Sequence, residues 1–207
     1  MNSPDEGRTL RQRHAQQTRA EVLEAARALF AEQGYAQTKV AQIAKRAGVA
    51  LQTVYSSVGT KAEVLVALLE TSRADAGVPT RDQAALEATD PREIMRTGNG
   101  TLRAVMEQSG DVYRLLIDNA AADPDVAAAW EHAKGYIRMG VEAGVQRVAE
   151  LDALAPGLSV DRAVDIISVV LSPRVYLGLI DRGWTHDEIE ALFERMAIST
   201  VLDPQAL

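Results

Sequence analysis

Three times in this chain a threonine stands three residues ahead of a glutamate at the head of an apolar stripe: Thr18 with Glu21, Thr60 with Glu63, Thr185 with Glu188. In each pair the hydroxyl can accept from the third helical amide while the carboxylate reaches back to the N-cap amide, satisfying two donors that a helix start leaves open. Asp90-Pro91 and Asp123-Pro124 mark two further starts, with proline at the first helical position, where its missing N–H costs nothing. Behind these boundaries apolar residues recur at helical spacing: Val22, Leu23, Ala26, Leu29 and Phe30 ahead of Gly34, then Val64, Leu65, Leu68 and Leu69, then Ile189, Leu192, Phe193, Met196 and Val201. Strand signals are weak. The valine-rich run 166–171 continues a stripe from Val160, Ala163 and Val164, so it reads as a buried helix that Pro173 should kink. The expected fold class is all-α with about nine helices: 16–33, 39–46, 50–57, 61–75, 91–109, 111–122, 124–152, 160–182 and 186–202, with 75–89 as the main loop. Gly98-Asn99-Gly100 interrupts 91–109, marking either two shorter helices or a place where backbone approaches something closely.

Residues 38–61 read TKVAQIAKRAGVALQTVYSSVGTK. Val40, Ile43, Ala44 and Ala47 share one face of a short helix, Gly48 permits the reversal of direction, and Val49 and Val54 plug the space between two closely approaching helices. That is the pattern of a helix-turn-helix. Its outward side chains are Lys39, Gln42, Lys45, Arg46, Leu51, Gln52, Thr53, Tyr55, Ser56 and Ser57, none of them acidic.

The net charge of −7 argues against nucleic acid only until its distribution is read. Residues 1–61 hold nine Lys/Arg against five acids, a balance of +4, and the remainder holds 13 against 24, a balance of −11. No acid occurs between Glu32 and Glu63. Phosphate is neutralised by a local patch, so the basic end is the relevant one, and the acidic remainder disfavours other orientations on DNA. A chain without cysteine has no disulfides, thiol catalysis or cysteine-held metal. No apolar run approaches the ~20 residues of a membrane span, and the charged start lacks the centre of a secretory signal, so a cytoplasmic location is expected.

From Thr18 to about Leu69 the sequence resembles the DNA-binding domain of the tetracycline-repressor (TetR) family. The matching pieces are AARALFAEQGY, T-x-V-x-x-IA-x-x-AGV, TVY and G-T-K-x-E-x-L, about a quarter of the chain. The resemblance implies a flexible basic arm over 1–15, a helix-turn-helix domain over 16–62 joined through helix 61–75, and an effector-binding and dimerisation domain over 63–207. It implies double-stranded operator DNA, an unidentified small-molecule effector and a second copy of the chain as partners, no membrane, and most often repression. Thr38 would cap the first motif helix and touch phosphate, with Lys39 and Gln42 beside it. Leu51 and Gln52 would meet base edges, Gln52 through a bidentate pairing with adenine. Thr53, Tyr55, Ser56, Ser57 and Lys61 would contact the backbone. Ala50 stands where the family carries a capping serine, Ser56 and Ser57 replace larger side chains, and Val58 replaces a phenylalanine. The arm residues Arg11, Arg13, His14 and Arg19 either compensate at the backbone and minor groove or form a frayed terminus.

In the second half, Met106, Tyr113, Asn119, Trp130, Tyr136 and Met139 add polarisable groups to aliphatic helices, and they either line a ligand cavity or fill a core. The apolar faces of the last two long helices (Ile167, Val170, Leu171, Leu177, Leu192, Phe193, Met196, Val201) are too broad for one neighbour and are expected to pair across a dimer. The three histidines share no ligand spacing and no catalytic fingerprint occurs, so no metal, cofactor or enzymatic activity is expected. The competing expectation is an all-α ligand-binding or adaptor protein without operator binding, suggested by Ala50 and Ser57.

Overall fold

The computed structural model describes residues 4–205, with side chains over 10–205. Among these residues it is built of ten helices and one isolated bridge, between Leu154 and Leu202. They are α1 (Pro4–Gln37), α2 (Val40–Ala47), α3 (Leu51–Ser57), α4 (Lys61–Asp75), α5 (Val78–Glu87), α6 (Pro91–Asn119), α7 (Pro124–Glu150), α8 (Val160–Val170), α9 (Pro173–Ile180) and α10 (His186–Val201).

The capping signals divide two to one. Thr60 and Thr185 form the expected boxes: Thr60 Oγ1 accepts from Glu63 N at 3.3 Å while Thr60 N donates to Glu63 Oε2 at 2.6 Å. Thr185 repeats this with Glu188 at 3.3 and 2.8 Å. Thr18 does not cap, because α1 already runs through it from Pro4. The arm expected over 1–15 is therefore helix from residue 4 on, and residues 1–3 lie outside the described residues. Gly34 ends the regular part of α1 with a left-handed φ of 79° that L side chains avoid.

Three other boundaries differ from expectation, each for a local reason. The stretch read as a loop over 75–89 contains α5, which starts after a left-handed Gly77 with proline in its first turn. Its periodicity was hidden because among its ten residues only Val78 is buried. The helix is continuous through Gly98-Asn99-Gly100, and the break falls at Ser109 (φ −144°), between the two helices expected there. The buried Ser109 hydroxyl donates to the Val105 carbonyl at 2.8 Å, occupying an acceptor near the kink. Pro173 goes further than a kink: α8 stops at Val170, and Ser172 caps α9 by accepting from Val175 N.

The segment Val160–Ile180 has the length and apolarity of a membrane span, with a mean hydropathy of 1.7, contrary to the expectation that no run comes near. It is divided into helices of 11 and 8 residues, each too short for the ~30 Å hydrocarbon layer.

One core runs through the molecule. α1–α3 pack around Val22, Phe30, Ile43, Ala44 and Val54. Leu65, Leu68 and Leu69 of α4 are buried, and α4 packs on α1 as well as on α6 and α7. Tyr113, Leu116, Val148, Tyr176, Ile189 and Phe193 form the centre of the larger bundle. The chain end is pinned beside the loop after α7 by Ala155 N to Val201 O (2.8 Å) and Asp203 N to Ala153 O (2.9 Å).

Candidate functional site

The turn between α2 and α3 is built as its sequence requires. Gly48 adopts the left-handed conformation (φ 70°, ψ 24°), its N–H bonds back to Lys45 O, and Val49 N reaches Ala44 O at 3.0 Å. These two reversed bonds close α2 and turn the chain sharply. Buried Val54 anchors α3 against Ile43 and Ala44. Ala50 offers no side-chain cap to α3.

With that face turned inward, Leu51, Gln52, Tyr55 and Ser56 are left exposed on α3, and Lys39, Gln42, Lys45 and Arg46 on α2. Leu51 and Tyr55 are 45% and 46% exposed, unusual for large apolar side chains on a seven-residue helix. Thr53 and Ser57 are half-buried. The Ser56 and Ser57 hydroxyls donate to Thr53 O and Val54 O, so donation to a phosphate requires each to rotate away. Gln42 Oε1 accepts from Lys39 N at 2.7 Å, supplying the cap of α2.

Several expected contacts are spent inside the protein. Thr38 is only 1% exposed and donates to Gly34 O at 2.8 Å, so its hydroxyl locks the end of α1 and does not face outward. Arg19 donates to Ser57 O at 2.8 Å, helping to satisfy the C-terminal carbonyls of α3. Arg46 pairs with Glu32 at 2.6 Å, and the guanidinium holds Glu32 below the usual carboxylate range. Lys61 is half-buried, donates to Tyr35 O at 2.8 Å and lies 3.9 Å above the Tyr35 ring, and burial lowers its pKa. One of its three protons is committed; the others keep the charge usable at the surface. Among the described residues no ion pair engages Lys39 or Lys45.

A cavity of about 130 Å³, open to solvent on one side, lies between α4, α5, α6, α7 and α8, with exposed Arg81, Leu86, Gly98 and Gly140 at its rim. Of the six residues expected to line such a site, Tyr113 and Tyr136 do. Met106 is core, Trp130 packs edge-on to Tyr113 outside the lining, Asn119 donates to Leu115 O at the end of α6, and Met139 faces solvent. Composition pointed to the large groups, whereas the space is made by small ones on facing walls. Arg73, Arg81, Asp82 and Asn99 supply polarity that the sequence reading missed, although Gly98-Asn99-Gly100 had drawn attention for its glycines.

The residues expected to form a dimer surface divide by their burial within one chain. Leu171, Leu177, Phe193 and Val201 are buried within one chain, because α9 and α10 pack on α6, and Ile167 lines the cavity. Val170, Leu192 and Met196 are half-buried. The large apolar side chains of this region left outside are Ile166, Val169, Val175 and Trp184, with Val169 at 70% exposure.

The N-terminal helix α1 also packs against α6. Arg27 grips Asp111 through Nε and Nη2, both at 2.8 Å, and donates to Gln108 O at 2.6 Å, on either side of the Ser109 break.

Residues 22–68 match the model of the bacterial regulatory proteins of the tetR family. Over 146 residues the sequence is 30% identical to the HTH-type transcriptional activator FasR of Mycolicibacterium smegmatis, covering 70% of this chain and 63% of that protein, so the match spans less than two thirds of the relative. The fold is similar to that of SmeT solved with triclosan (TM-score 0.73, 17% identity, 92% of this chain and 94% of the other). It is also similar to that of NalD, the secondary repressor of the MexAB-OprM multidrug efflux pump in Pseudomonas aeruginosa (TM-score 0.71, 21% identity, 93% and 99%). Residues 22–68 are thus similar to the DNA-binding segment of the tetR family of bacterial regulatory proteins, and the chain shares its overall fold with solved regulators.

Proposed function

We propose that this protein is a ligand-responsive transcriptional regulator that binds a palindromic DNA operator as a homodimer in the cytoplasm. The observation that carries the reading is the α3 face. Leu51, Gln52, Tyr55 and Ser56 project into solvent from a helix with no structural use for them, flanked by Lys39 and Lys45, which form no ion pair among the described residues, and by no acid between Glu32 and Glu63. A seven-residue helix presenting an amide and two apolar contacts fits the major groove, where Gln52 can read adenine and Leu51 a thymine methyl. Lys39, Lys45, Tyr55 and Lys61 then serve the phosphates. Residues 16–62 form the reading unit and 63–207 the sensing and pairing unit, with α4 shared between them.

A second copy joined through the exposed face of α8 and α9 sets two α3 helices about 34–36 Å apart, one turn of DNA. Coupling runs through two struts. α4 carries Lys61 at the DNA end and Arg73 at the cavity; α6 carries the cavity wall and, at its break, the Arg27 clamp. A ligand that alters α6 shifts α1 through that clamp, and two reading helices spaced against a rigid repeat tolerate little displacement. The relatives include a named activator and a named repressor, and the reading of repression expects reporter output to rise when the gene is deleted.

The test is fluorescence anisotropy on DNA from the region upstream of the gene at several salt concentrations. Specific binding exceeds that to random DNA by about 10³-fold or more, and its logarithm falls linearly with that of salt. Equal affinity for both DNAs at every salt concentration overturns the reading in favour of an adaptor.

A further inference from the structure

We propose that the cavity between α4 and α8 takes a small, mainly apolar carboxylic acid, its body among the aliphatic side chains and its oxygens met by Asn99 and the Arg73 and Arg81 guanidiniums. This rests on the reading of the chain as a ligand-responsive regulator and names the chemistry of its ligand.

The space comes first. Protein interiors leave few voids larger than a water molecule, yet here a cavity remains, and its mouth is unobstructed, because a Cβ placed on exposed Gly98 or Gly140 meets no atom within 4 Å. The walls beyond them are Val78, Ile94, Leu102, Val105 and Val141. A void lined in this way lacks the dispersion contacts that an apolar guest would restore. Its size, about 130 Å³, is close to the roughly 150 Å³ that holds one benzene ring, which selects a single ring or a chain of about six carbons.

The polar groups set the functional group. Asn99 stands in the wall only 8% exposed, and its Nδ2 has no acceptor. A buried donor without a partner is rare in folded proteins and calls for an acceptor from the guest. The charged lining consists of two arginines and one acid, Asp82, whose pKa burial raises against the influence of Arg73. An excess of fixed positive charge favours an anion, and guanidinium matches a carboxylate in shape as well as sign. A cationic guest finds no aromatic face to rest on: Arg73 already lies 4.9 Å from the Tyr136 ring centroid, and Tyr113 is 1% exposed.

The experiment is calorimetric titration of the full-length, DNA-free protein with benzoate and hexanoate, with benzyl alcohol and hexanol, and with benzylamine and hexylamine. The acids bind roughly tenfold or more tighter than the matched alcohols, and the amines give no heat of binding. Asn99→Leu weakens the acids about tenfold while changing the alcohols less than about twofold, and it does not lower the Tm, because it removes an unsatisfied amide. Gly140→Leu obstructs the mouth of the cavity and abolishes binding of acids and alcohols alike in a protein that still melts cooperatively. Alcohols or amines binding as tightly as the acids overturn the proposal, as does acid binding that survives Gly140→Leu. Absence of binding by every probe at about 10 mM overturns it equally. DNA binding is measured separately without ligand. A protein that binds its operator but no acid refutes only this inference, and one that binds acids but no DNA refutes only the regulator reading.

Discussion

Val169→Asp separates the proposed dimer surface from the core that sequence patterning confuses with it. Val169 is 70% exposed on α8, beside Ile166 and near Val175 at the start of α9, and one chain supplies nothing to cover the three. Burying a valine side chain completely is worth about 1.5–3 kcal/mol, so the exposed share of Val169, lost twice across a two-fold axis, comes to roughly 2–4 kcal/mol. Added to this is the cost of placing two carboxylates together at the same axis-related surface. The dimer Kd should therefore rise by about 30- to 1000-fold, with the Tm extrapolated to low protein concentration unchanged. Phe193→Asp is the contrast: at 2% exposure, edge-on to Tyr176 at 5.9 Å, it buries a charge inside one chain and abolishes folding without yielding a folded monomer. Sedimentation velocity across a concentration series, with circular dichroism on the same samples, reads both effects. A Val169→Asp protein that sediments like the wild type at every concentration refutes the interface, and so does a wild type that is monomeric at micromolar concentration.

Ala50→Ser should stabilise the protein by up to about 1 kcal/mol, read as a rise in Tm, because α3 begins without a side-chain acceptor for its open amides. Lys39→Ala should reduce the salt slope of DNA binding by about 1 on operator and random DNA alike, whereas Gln52→Ala should cost roughly 1–3 kcal/mol on the operator only; equal losses on both DNAs would remove Gln52 from base reading. The carboxylates of Glu63 and Glu188 are held below the usual range by hydrogen bonds from the Thr60 and Thr185 backbone amides. Their contribution is present above the unfolded-state pKa and is lost as pH falls through the lower folded-state value, so the double substitution to glutamine should flatten the fall in Tm on acidification below the glutamate range.

The legible parts of the fold were those whose boundaries lie in short-range chemistry. Thr60 and Thr185 cap as their glutamates foretell, Gly48 turns left-handed where two helices must reverse, and Pro173 interrupts where its ring crowds the preceding turn. Thr18 carries the same local signal and is overruled, because capping is only needed where upstream residues leave the helix; here α1 extends back to Pro4. α5 stayed hidden because a helix that lies over a cavity has little core to face, and burial is what writes periodicity into a sequence. The same absence of a packed partner leaves Leu86 exposed at the rim.

The candidate site divides by whether a residue's role depends on what surrounds it. For α3 it does not: a short helix with one buried valine must expose the face opposite it, so Leu51, Gln52, Tyr55 and Ser56 were legible. For Thr38, Arg19 and Lys61 it does, since a hydroxyl or cation suited to phosphate is equally suited to a backbone carbonyl, and Gly34, Ser57 and Tyr35 offer carbonyls at 2.8 Å. The cavity is the extreme case. Aromatic and sulfur-bearing side chains draw the eye, but large groups close space more readily than they make it, and Met106 and Trp130 are spent on packing. A void is defined by what facing helices omit. Gly98 and Gly140 are 42 positions apart in sequence, and only the pairing of α6 with α7 turns two missing side chains into one opening. Asn99 lay between two glycines in plain view, yet a polar residue there signals a ligand only once its donor is known to be buried and unanswered.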